Sequence, residues 1–546
     1  MRSGAALLFG VEPDRAEHAL PALVVDAPAT QEHADTPRHR YASRADFAGD
    51  ALLLILIAVN VARTLRHAMW RDELQIFQST TSNGSLWELF RHLKYEARGS
   101  LWDVMVWLLT RFTADPASMQ VLHATLAIGV WIVIYRWSPF TRTEKFLLLL
   151  SYFFFWEYFV ISRNYVLVAL LGLGFVAIRH HRPAQVIVAW LLLGLLANIV
   201  VHATIWSVAL AVTFALEERR RDTAFLTGAA LYLCCLAFGI ATMIPAADYG
   251  PWGNDVRFDL ARLDSVLAIP LGAFVPFNSE SVKGAVAFAI GATTAAPRFW
   301  NLNPLPDIVA LTQAGVDHPL PLVVIFAAPV AACWLIARCR VLEFTVVYVG
   351  ILSFATLWDY PGASRHHGIV FLALIAGAWA ARARSGKVEG SAWALGAVLL
   401  VSAFAGVLTL SSELRPFSQS RNAASWLKQS NLSGAFLIGS RDAQVSSIAG
   451  YLGRPIYYLE CECFGTFIMW NHARQSLLSA EQFRTRLTRA FDLAEGREAI
   501  LIRNRPLLAD ELAPNAAGLS AAPLQSFVGA ETDESYWIYR MTKPKP

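Results

Sequence analysis

Cysteine and charge are both scarce in this chain. Six of its 546 residues are cysteine, and only 16% are Asp, Glu, Lys or Arg. So few cysteines exclude the disulfide framework that stabilises small secreted domains. The 55% of apolar residues is far more hydrophobic sequence than one soluble core would bury. We therefore expect a membrane protein, and the net charge of +4 gives no reason to expect nucleic acid as a partner.

We expect neither a cleavable signal peptide nor internal repeats in this chain. Residues 1–47 carry mixed charge, several Ala and several Pro, without the apolar core that a signal peptide needs. We expect them to form a disordered cytoplasmic tail. The absence of repeats disfavours transporter folds that are built from inverted halves.

Apolar runs long enough to cross about 30 Å of hydrocarbon recur over residues 48–411. They predict a mostly α-helical, polytopic membrane protein with about eleven transmembrane helices. The predicted spans are 48–66, 117–135, 145–162, 163–179, 184–200, 203–216, 223–244, 319–337, 341–357, 368–381 and 391–410. The large external loop 245–318 holds two more apolar stretches, and the count becomes thirteen if both cross.

Basic residues mark every second turn between these spans, as at Arg219, Arg220 and Arg221. The positive-inside rule then places these turns and the amino terminus in the cytoplasm of a bacterial inner (plasma) membrane. The first loop, 67–116, and the carboxyl terminus are consequently periplasmic. Residues 100–112 are apolar but too short to cross, so we expect an amphipathic helix on the membrane surface.

After residue 411 the sequence has the character of a soluble domain. Its pattern predicts helices at 420–428 and 480–494 and strands at 435–439, 499–502 and 536–541. This alternation predicts a small periplasmic α/β domain over residues 412–546. Cys461 and Cys463 lie in it, two positions apart, where either a bridge or a free pair is possible; we favour unpaired thiols.

Two adjacent carboxylates, Asp72 and Glu73, follow the first span within a few residues, and Glu96 lies further along the same loop. A solvated loop with an Arg71–Asp72 pair would explain them. Alternatively, one carboxylate is a general base toward an acceptor hydroxyl, or helps to hold a divalent cation, while its neighbour orients the site. Glu157, inside an aromatic span, is expected to have a structural partner.

These features resemble the GT-C superfamily of integral-membrane glycosyltransferases, which includes the protein O-mannosyltransferases and the lipid A aminoarabinose transferases. The resemblance rests on Asp72 and Glu73, on Glu96 with the following surface helix, and on the segments Ser162–Tyr165 and Ser364–Gly368, and covers about residues 48–410. It implies a catalytic first loop and a sugar donor carried on a polyprenyl phosphate. Many relatives have Gly-His-Pro-Pro-Leu where this chain has Ala97–Leu101.

The resemblance makes Asp72, Glu73 and Glu96 the catalytic candidates. An external site has no supply of nucleotide sugars, so the donor must arrive on a lipid, and its phosphate leaving group calls for cations. The phosphate-binding candidates are Arg163, Arg365, Arg98 and His366. The candidates for sugar or acceptor contact are Tyr165, Trp300 and Asn301. No cofactor is indicated with certainty, and a divalent cation such as magnesium, manganese or zinc stays open.

Several of these residues could instead have purely structural roles. Arg163 can anchor a helix end by snorkelling, Arg365 can contact lipid headgroups or cap a helix, and Trp300 can belong to an interfacial aromatic belt. The leading hypothesis is a glycosyltransferase that acts on a glycan, lipid or protein acceptor among membrane lipids. The alternatives are a secondary transporter or lipid-glycan flippase, and a membrane assembly or sensor protein.

Overall fold

The computed structural model describes much of the chain but not all of it. The described residues are 44–182, 184–219, 221–250, 269, 272–276, 319–339, 346–351, 353, 363–385, 391–430, 432–508, 511 and 518–543. Most of the predicted cytoplasmic tail lies outside them, and so do Trp300 and Asn301. The chain divides after Ala51 into two units, and every contact given below lies within the second unit.

Helices make up nearly all of the described structure before residue 413. In chain order they are α1 (Arg44–Arg66), α2 (Arg71–Ser82), α3 (Leu86–Leu93), α4 (Leu101–Thr110), α5 (Ala117–Trp137), α6 (Arg142–Leu149), α7 (Tyr165–His181), α8 (Val186–Leu196), α9 (Val201–Glu217), α10 (Thr223–Met243), α11 (Pro319–Cys339), α12 (Ser364–Ser385) and α13 (Ser391–Ser412).

Five stretches of helix within the described ranges are long and apolar enough to cross a membrane. They are Phe47–Arg66, Ala117–Trp137, Thr223–Met243, Ser364–Arg384 and Ala392–Ser411. Shorter apolar helices, such as α7 and α9, accompany them. The protein is therefore a mostly helical, multi-pass membrane protein, as predicted. The count of eleven spans and their orientation stay predictions.

The predicted span 145–162 is not one continuous helix. It consists of α6 followed by a π-helical turn, Phe153–Glu157, whose aromatic side chains are buried. Irregular backbone at membrane depth is tolerated where protein surrounds it. The Tyr152 hydroxyl donates a hydrogen bond to Glu157 Oε2 at 3.0 Å, which gives Glu157 the structural partner that we expected.

The first loop, residues 67–116, contains three short helices. α2 begins directly after Trp70, so Asp72 and Glu73 lie in its first turn, where the helix dipole favours negative charge. The Glu73 side chain accepts a hydrogen bond from the Trp70 amide at 3.3 Å, as in a capping box. α4 confirms the helix predicted at 100–112; its position on the membrane surface stays a prediction.

The carboxyl-terminal part contains a mixed six-stranded sheet, which confirms the predicted α/β character. Its strands are β1 (Phe436–Ser440), β2 (Ile456–Tyr458), β3 (Cys463–Gly465), β4 (Ala499–Arg503), β5 (Ser520–Phe527) and β6 (Tyr536–Thr542). The strand order is β3-β2-β1-β4-β6-β5. β1 pairs in parallel with β2 and β4, and the remaining pairs are antiparallel.

Three helices accompany this sheet: α14 (Ser420–Gln429), α15 (Asp442–Leu452) and α16 (Ala480–Asp492). Two hydrophobic clusters cover its two faces, one with residues of α14 and α15 and the other with residues of α16. Helices α14 and α16 and strands β1, β4 and β6 match the sequence prediction. Helix α15 and strands β2, β3 and β5 had no counterpart in the prediction.

The preference for unpaired thiols at Cys461 and Cys463 was wrong. The structure joins them by a disulfide whose Cα atoms are 5.2 Å apart. Glu462 between them adopts a positive φ of 50°, and this backbone turn brings the two side chains together. A bridge between cysteines two positions apart thus closes the turn that leads into β3.

Candidate active site

A cavity of about 380 Å³ lies where the first loop, several helix ends and the sheet domain meet. Its volume is in the range of sites that hold small molecules. It contains most of the residues that the sequence singled out. The lining residues are Arg71, Asp72, Gln75, Glu96, Ala97, Arg98, Arg163, Asn164, Tyr165, Val200, Val201, His202, Tyr249, Arg365, His366, Ala443, Ser446, Ile468 and Trp470.

Asp72 is the point on which the cations of this cavity converge. Arg163 Nη1 lies 2.5 Å and Arg365 Nη2 lies 3.1 Å from the same oxygen, Asp72 Oδ2. Arg163 lies two residues before the start of α7, and Arg365 lies in the first turn of α12. Arg71 Nε is 4.0 Å from the other oxygen, Oδ1. The three parts of the chain that the sequence singled out therefore meet at one carboxylate.

The charge of Asp72 is set by these cations. Burial by itself favours the neutral acid, but the guanidinium groups of Arg163 and Arg365 outweigh it and hold the pKa of Asp72 well below its usual range. The side chain is still 27% exposed, and it faces the cavity. Asp72, Arg163 and Arg365 pair two guanidinium groups with one carboxylate, a balance that suits an anionic ligand, and Glu157 also interacts electrostatically with both arginines.

Glu73 points away from the cavity, unlike Asp72, and is completely buried. Its Oε2 lies 2.8 Å from His67 Nε2, and its Oε1 accepts a hydrogen bond from the Ser162 amide at 2.6 Å. Glu73 does not line the cavity. It instead connects the end of α1 to the segment that carries Arg163, so the structure places it as a support of the site.

Glu96 and Arg98 form a second charged cluster in the cavity wall. Arg98 Nη1 lies 2.9 Å from Glu96 Oε2, and Arg98 also donates two hydrogen bonds to Asp103, at 2.8 and 3.2 Å. Asp103 is fully buried, so it fixes the plane of the guanidinium. Arg98 is thus neutralised by two carboxylates, Glu96 and Asp103.

Tyr165, His366 and His202 form a polar group beside Arg365. The Ala363 amide donates to His366 Nδ1 at 2.8 Å, so the proton of the neutral imidazole belongs on Nε2. His366 Nε2 is 2.8 Å from the Tyr165 hydroxyl oxygen, which accepts that proton. The His202 ring lies 4.8 Å from the His366 ring. The Tyr165 hydroxyl is therefore oriented to donate its own proton.

The sheet domain supplies a wall of the cavity that the sequence did not predict. Ala443 and Ser446 come from α15, and Ile468 and Trp470 come from the segment after β3. Gln75 of α2 binds Ile468 through both amide atoms, at 2.7 and 2.9 Å. No motif marks these residues in the sequence, because their position depends on docking of the sheet domain against α2. The predicted sugar contacts Trp300 and Asn301 lie outside the described residues.

The sheet domain also holds Arg71, next to Asp72. Arg71 Nη1 lies 2.5 Å from Asp533 Oδ1, and the Arg71 amide donates to Glu534 Oε1 at 2.9 Å. Glu534 is fully buried and also accepts hydrogen bonds from Ser418 and Ser447. Burial raises the pKa of Glu534 to about 7 despite the nearby Arg71. The first turn of α2 is therefore anchored to the segment before β6.

No set of three or more His, Cys, Asp or Glu side chains is arranged to hold a metal ion within the part of the chain that the structure describes. Asp72 and Glu96 both reach the cavity, but each is already engaged by arginine. The described residues therefore do not fit a metal site formed by protein ligands alone.

Comparisons with known proteins give structural similarity only. No protein-family model and no curated protein matches the sequence. ArnT from Cupriavidus metallidurans, solved in the apo state, matches with a TM-score of 0.38 and 15% identity, over 90% of this chain and 97% of that chain. A mutant of the arabinofuranosyltransferase AftD from Mycobacteria matches with a TM-score of 0.37 and 14% identity, over 90% of this chain and 41% of that chain.

The structure is thus similar, across most of the chain and at low sequence identity, to these GT-C membrane glycosyltransferases. The chain spans about two fifths of the length of AftD. A similarity of this degree assigns neither a substrate to this chain nor a role to any of its residues.

Proposed function

We propose that this protein is an inverting glycosyltransferase that moves one sugar from a polyprenyl-phosphate donor to a hydroxyl of a glycan, lipid or protein acceptor at the periplasmic face. The observation that carries the proposal is the convergence of Arg163 and Arg365 on Asp72 in one cavity. Two arginines, which are suited to bind phosphate, thus lie beside a carboxylate that can accept a proton.

Arg163 and Arg365 suit a phosphate leaving group. Arginine stays charged and can offer two parallel hydrogen bonds to phosphate oxygens. The Arg163 side chain lines the cavity, and its buried Nε has no hydrogen-bond acceptor among the described residues. Tyr165, whose hydroxyl contacts His366 Nε2, lines the same cavity.

Asp72 is a weak base while both arginines hold it, since its pKa is well below the usual range. A donor phosphate that binds between Arg163 and Arg365 competes with the carboxylate for the same cations. Asp72 then loses its neutralising partners, its pKa rises, and it becomes able to accept a proton. In this mechanism, binding of the donor activates the base.

The transfer step balances with these groups alone. The acceptor hydroxyl oxygen attacks the anomeric carbon, the bond from that carbon to the phosphate oxygen breaks, and polyprenyl phosphate leaves with the electron pair. The hydroxyl proton passes to Asp72, and Arg163 and Arg365 stabilise the charge that develops on the phosphate. Attack opposite the leaving group inverts the anomeric configuration. Glu96 and Arg98 shape the cavity wall, and Glu73 positions the loop.

The proposal is tested by sugar transfer in nanodiscs that contain the full chain, a panel of synthetic polyprenyl-phosphate sugars and a membrane extract as the source of acceptors. Asp72→Asn should lower transfer by about 10²- to 10⁴-fold at matched expression, the usual effect of losing a general base. Asp115→Asn is the matched control, because Asp115 is exposed in the same loop and the asparagine side-chain oxygen can still accept the hydrogen bond from the Ala117 amide.

Transfer by Asp72→Asn at the wild-type rate would overturn the assignment of the base. Wild-type protein that inserts and folds but transfers nothing across a broad donor panel would overturn the transferase proposal and favour transport or assembly.

A further inference from the structure

Trp470 forms a fixed aromatic surface in the wall of the cavity that the sheet domain supplies. Its indole lines the cavity and is half-buried. The guanidinium of Arg474 lies over the ring, 4.6 Å from its centroid. Because this cation covers one face of the indole, only the other face remains for a ligand.

Arg474 is itself held in place by a buried carboxylate. It donates two hydrogen bonds, from Nε and Nη2, to the two oxygens of Asp442, each at 2.6 Å. Asp442 is 1% exposed and begins α15. A bidentate pair of this kind fixes the plane of the guanidinium. The indole therefore rests on a rigid support, and a ligand that stacks on it need not order it first.

The backbone of Trp470 is fixed on both sides. Gln75 of α2 exchanges two hydrogen bonds with Ile468, and the Gly250 amide donates to the Trp470 carbonyl at 3.0 Å. The His472 amide donates to the Asp248 carbonyl at 2.8 Å. Tyr249, which pairs with Asn471 in a short antiparallel bridge, lines the same cavity.

We propose that Trp470 is the stacking platform for a pyranose ring of the acceptor, and hence that the acceptor is a glycan. This inference rests on the proposed function and deepens it. A large, flat, apolar surface with polar groups around it matches the C–H face of a pyranose and its equatorial hydroxyls. Polar residues among the lining, Gln75 and Glu96, supply such groups around the cavity.

The inference also separates the two substrates by the part of the chain that binds them. The cations for the donor phosphate come from the ends of α7 and α12, whereas Trp470 comes from the sheet domain. Acceptor recognition therefore depends on the sheet domain, and donor recognition does not. Asp72 lies in the same cavity and is available to both.

The direct test is glycan binding to the full chain in nanodiscs without any donor, by saturation-transfer NMR with a panel of pyranose oligosaccharides. Wild type should give saturation transfer to at least one oligosaccharide, Trp470→Leu should lower it at least fivefold, and Trp470→Phe should retain part of it. Trp87→Leu is the control, because Trp87 is 70% exposed on α3 and does not line the cavity.

A second measurement separates this inference from the proposed function. Trp470→Leu should raise the KM for the acceptor about tenfold or more, while the affinity for polyprenyl phosphate stays that of wild type. If glycan binding depends on Trp470 but the protein shows no transferase activity, the stacking platform is supported and the proposed transferase function is overturned. Transfer with an unchanged acceptor KM in Trp470→Leu, or no oligosaccharide bound by wild type, would overturn the platform.

Discussion

Arg163 Nη1 lies 2.5 Å from Asp72 Oδ2, although the two residues are 91 positions apart in the chain. Arg365, 293 positions from Asp72, reaches the same oxygen. The carboxylate and the proposed phosphate site are therefore coupled: whatever occupies the two guanidinium groups changes the basicity of Asp72.

This coupling predicts that Asp72→Asn binds polyprenyl phosphate more tightly than wild type does. The substitution removes the anion that competes with phosphate for Arg163 and Arg365, so we expect affinity to increase roughly fivefold to tenfold, or about 1 kcal/mol. Calorimetric titration of nanodiscs with polyprenyl phosphate measures the change. Asp115→Asn should leave the affinity unchanged. Weaker binding by Asp72→Asn would show that Asp72 supports the phosphate site rather than competing with it.

Glu73 should matter for stability more than for the chemical step. Its carboxylate is fully buried and accepts hydrogen bonds from the backbone of Trp70 and Ser162, and it pairs with His67. In Glu73→Gln the buried hydrogen-bond partners of this side chain are incompletely satisfied, which should lower the free energy of unfolding by about 1–3 kcal/mol. We expect a lower Tm in detergent and a wild-type KM for the donor.

Glu88→Gln is the matched control for this substitution, because Glu88 is exposed in the same loop and glutamine preserves its capping box. A loss of kcat by Glu73→Gln as large as that of Asp72→Asn, at unchanged Tm, would instead place Glu73 in the chemistry.

Glu534 should make the stability of the docked sheet domain depend on pH. Its pKa in the folded protein, about 7, exceeds the ordinary value of 4.5, so the folded protein binds this proton more tightly than the unfolded chain does. The stabilising contribution is full below about pH 4.5 and is lost as the pH rises through 7. Each unit of difference between the folded and unfolded pKa of Glu534 is worth about 1.4 kcal/mol, so the free energy of unfolding should fall by roughly 3 kcal/mol over this pH range.

The measurement is the Tm of wild type and Glu534→Gln between pH 4.5 and 8. Wild type should lose stability relative to Glu534→Gln as the pH rises, because glutamine does not ionise. Glu481→Gln, at an exposed position of α16, should follow wild type. A constant difference between wild type and Glu534→Gln over this range would contradict the prediction.

The periplasmic location of the sheet domain is also testable. Disulfides persist in oxidising compartments, so the Cys461–Cys463 bridge agrees with that location. Leu477→Cys, 76% exposed in the sheet domain, should react with a membrane-impermeant maleimide in intact spheroplasts. Arg219→Cys, in a basic turn, should react only after the membrane is opened. Labelling in the reverse pattern would invert the predicted topology.

The sequence alone predicted the membrane character of the chain and the charged candidate residues around Asp72. Apolar runs of membrane length follow directly from composition along the chain, and isolated charges next to them stand out because they are costly there. The strands β1, β4 and β6 were predictable for a similar reason: each is a short apolar run with strand-forming residues.

Only the tertiary structure separated Asp72 from Glu73. Consecutive residues of a helix point about 100° apart, so one carboxylate turns to Arg163 and the cavity while its neighbour turns to His67 and the protein interior. Which of the two faces the cavity depends on how α2 packs. The same holds for Trp470: Gln75 and Ile468, whose hydrogen bonds fix that segment, are 393 positions apart. Such contacts form by docking of two domains, and no local pattern encodes them.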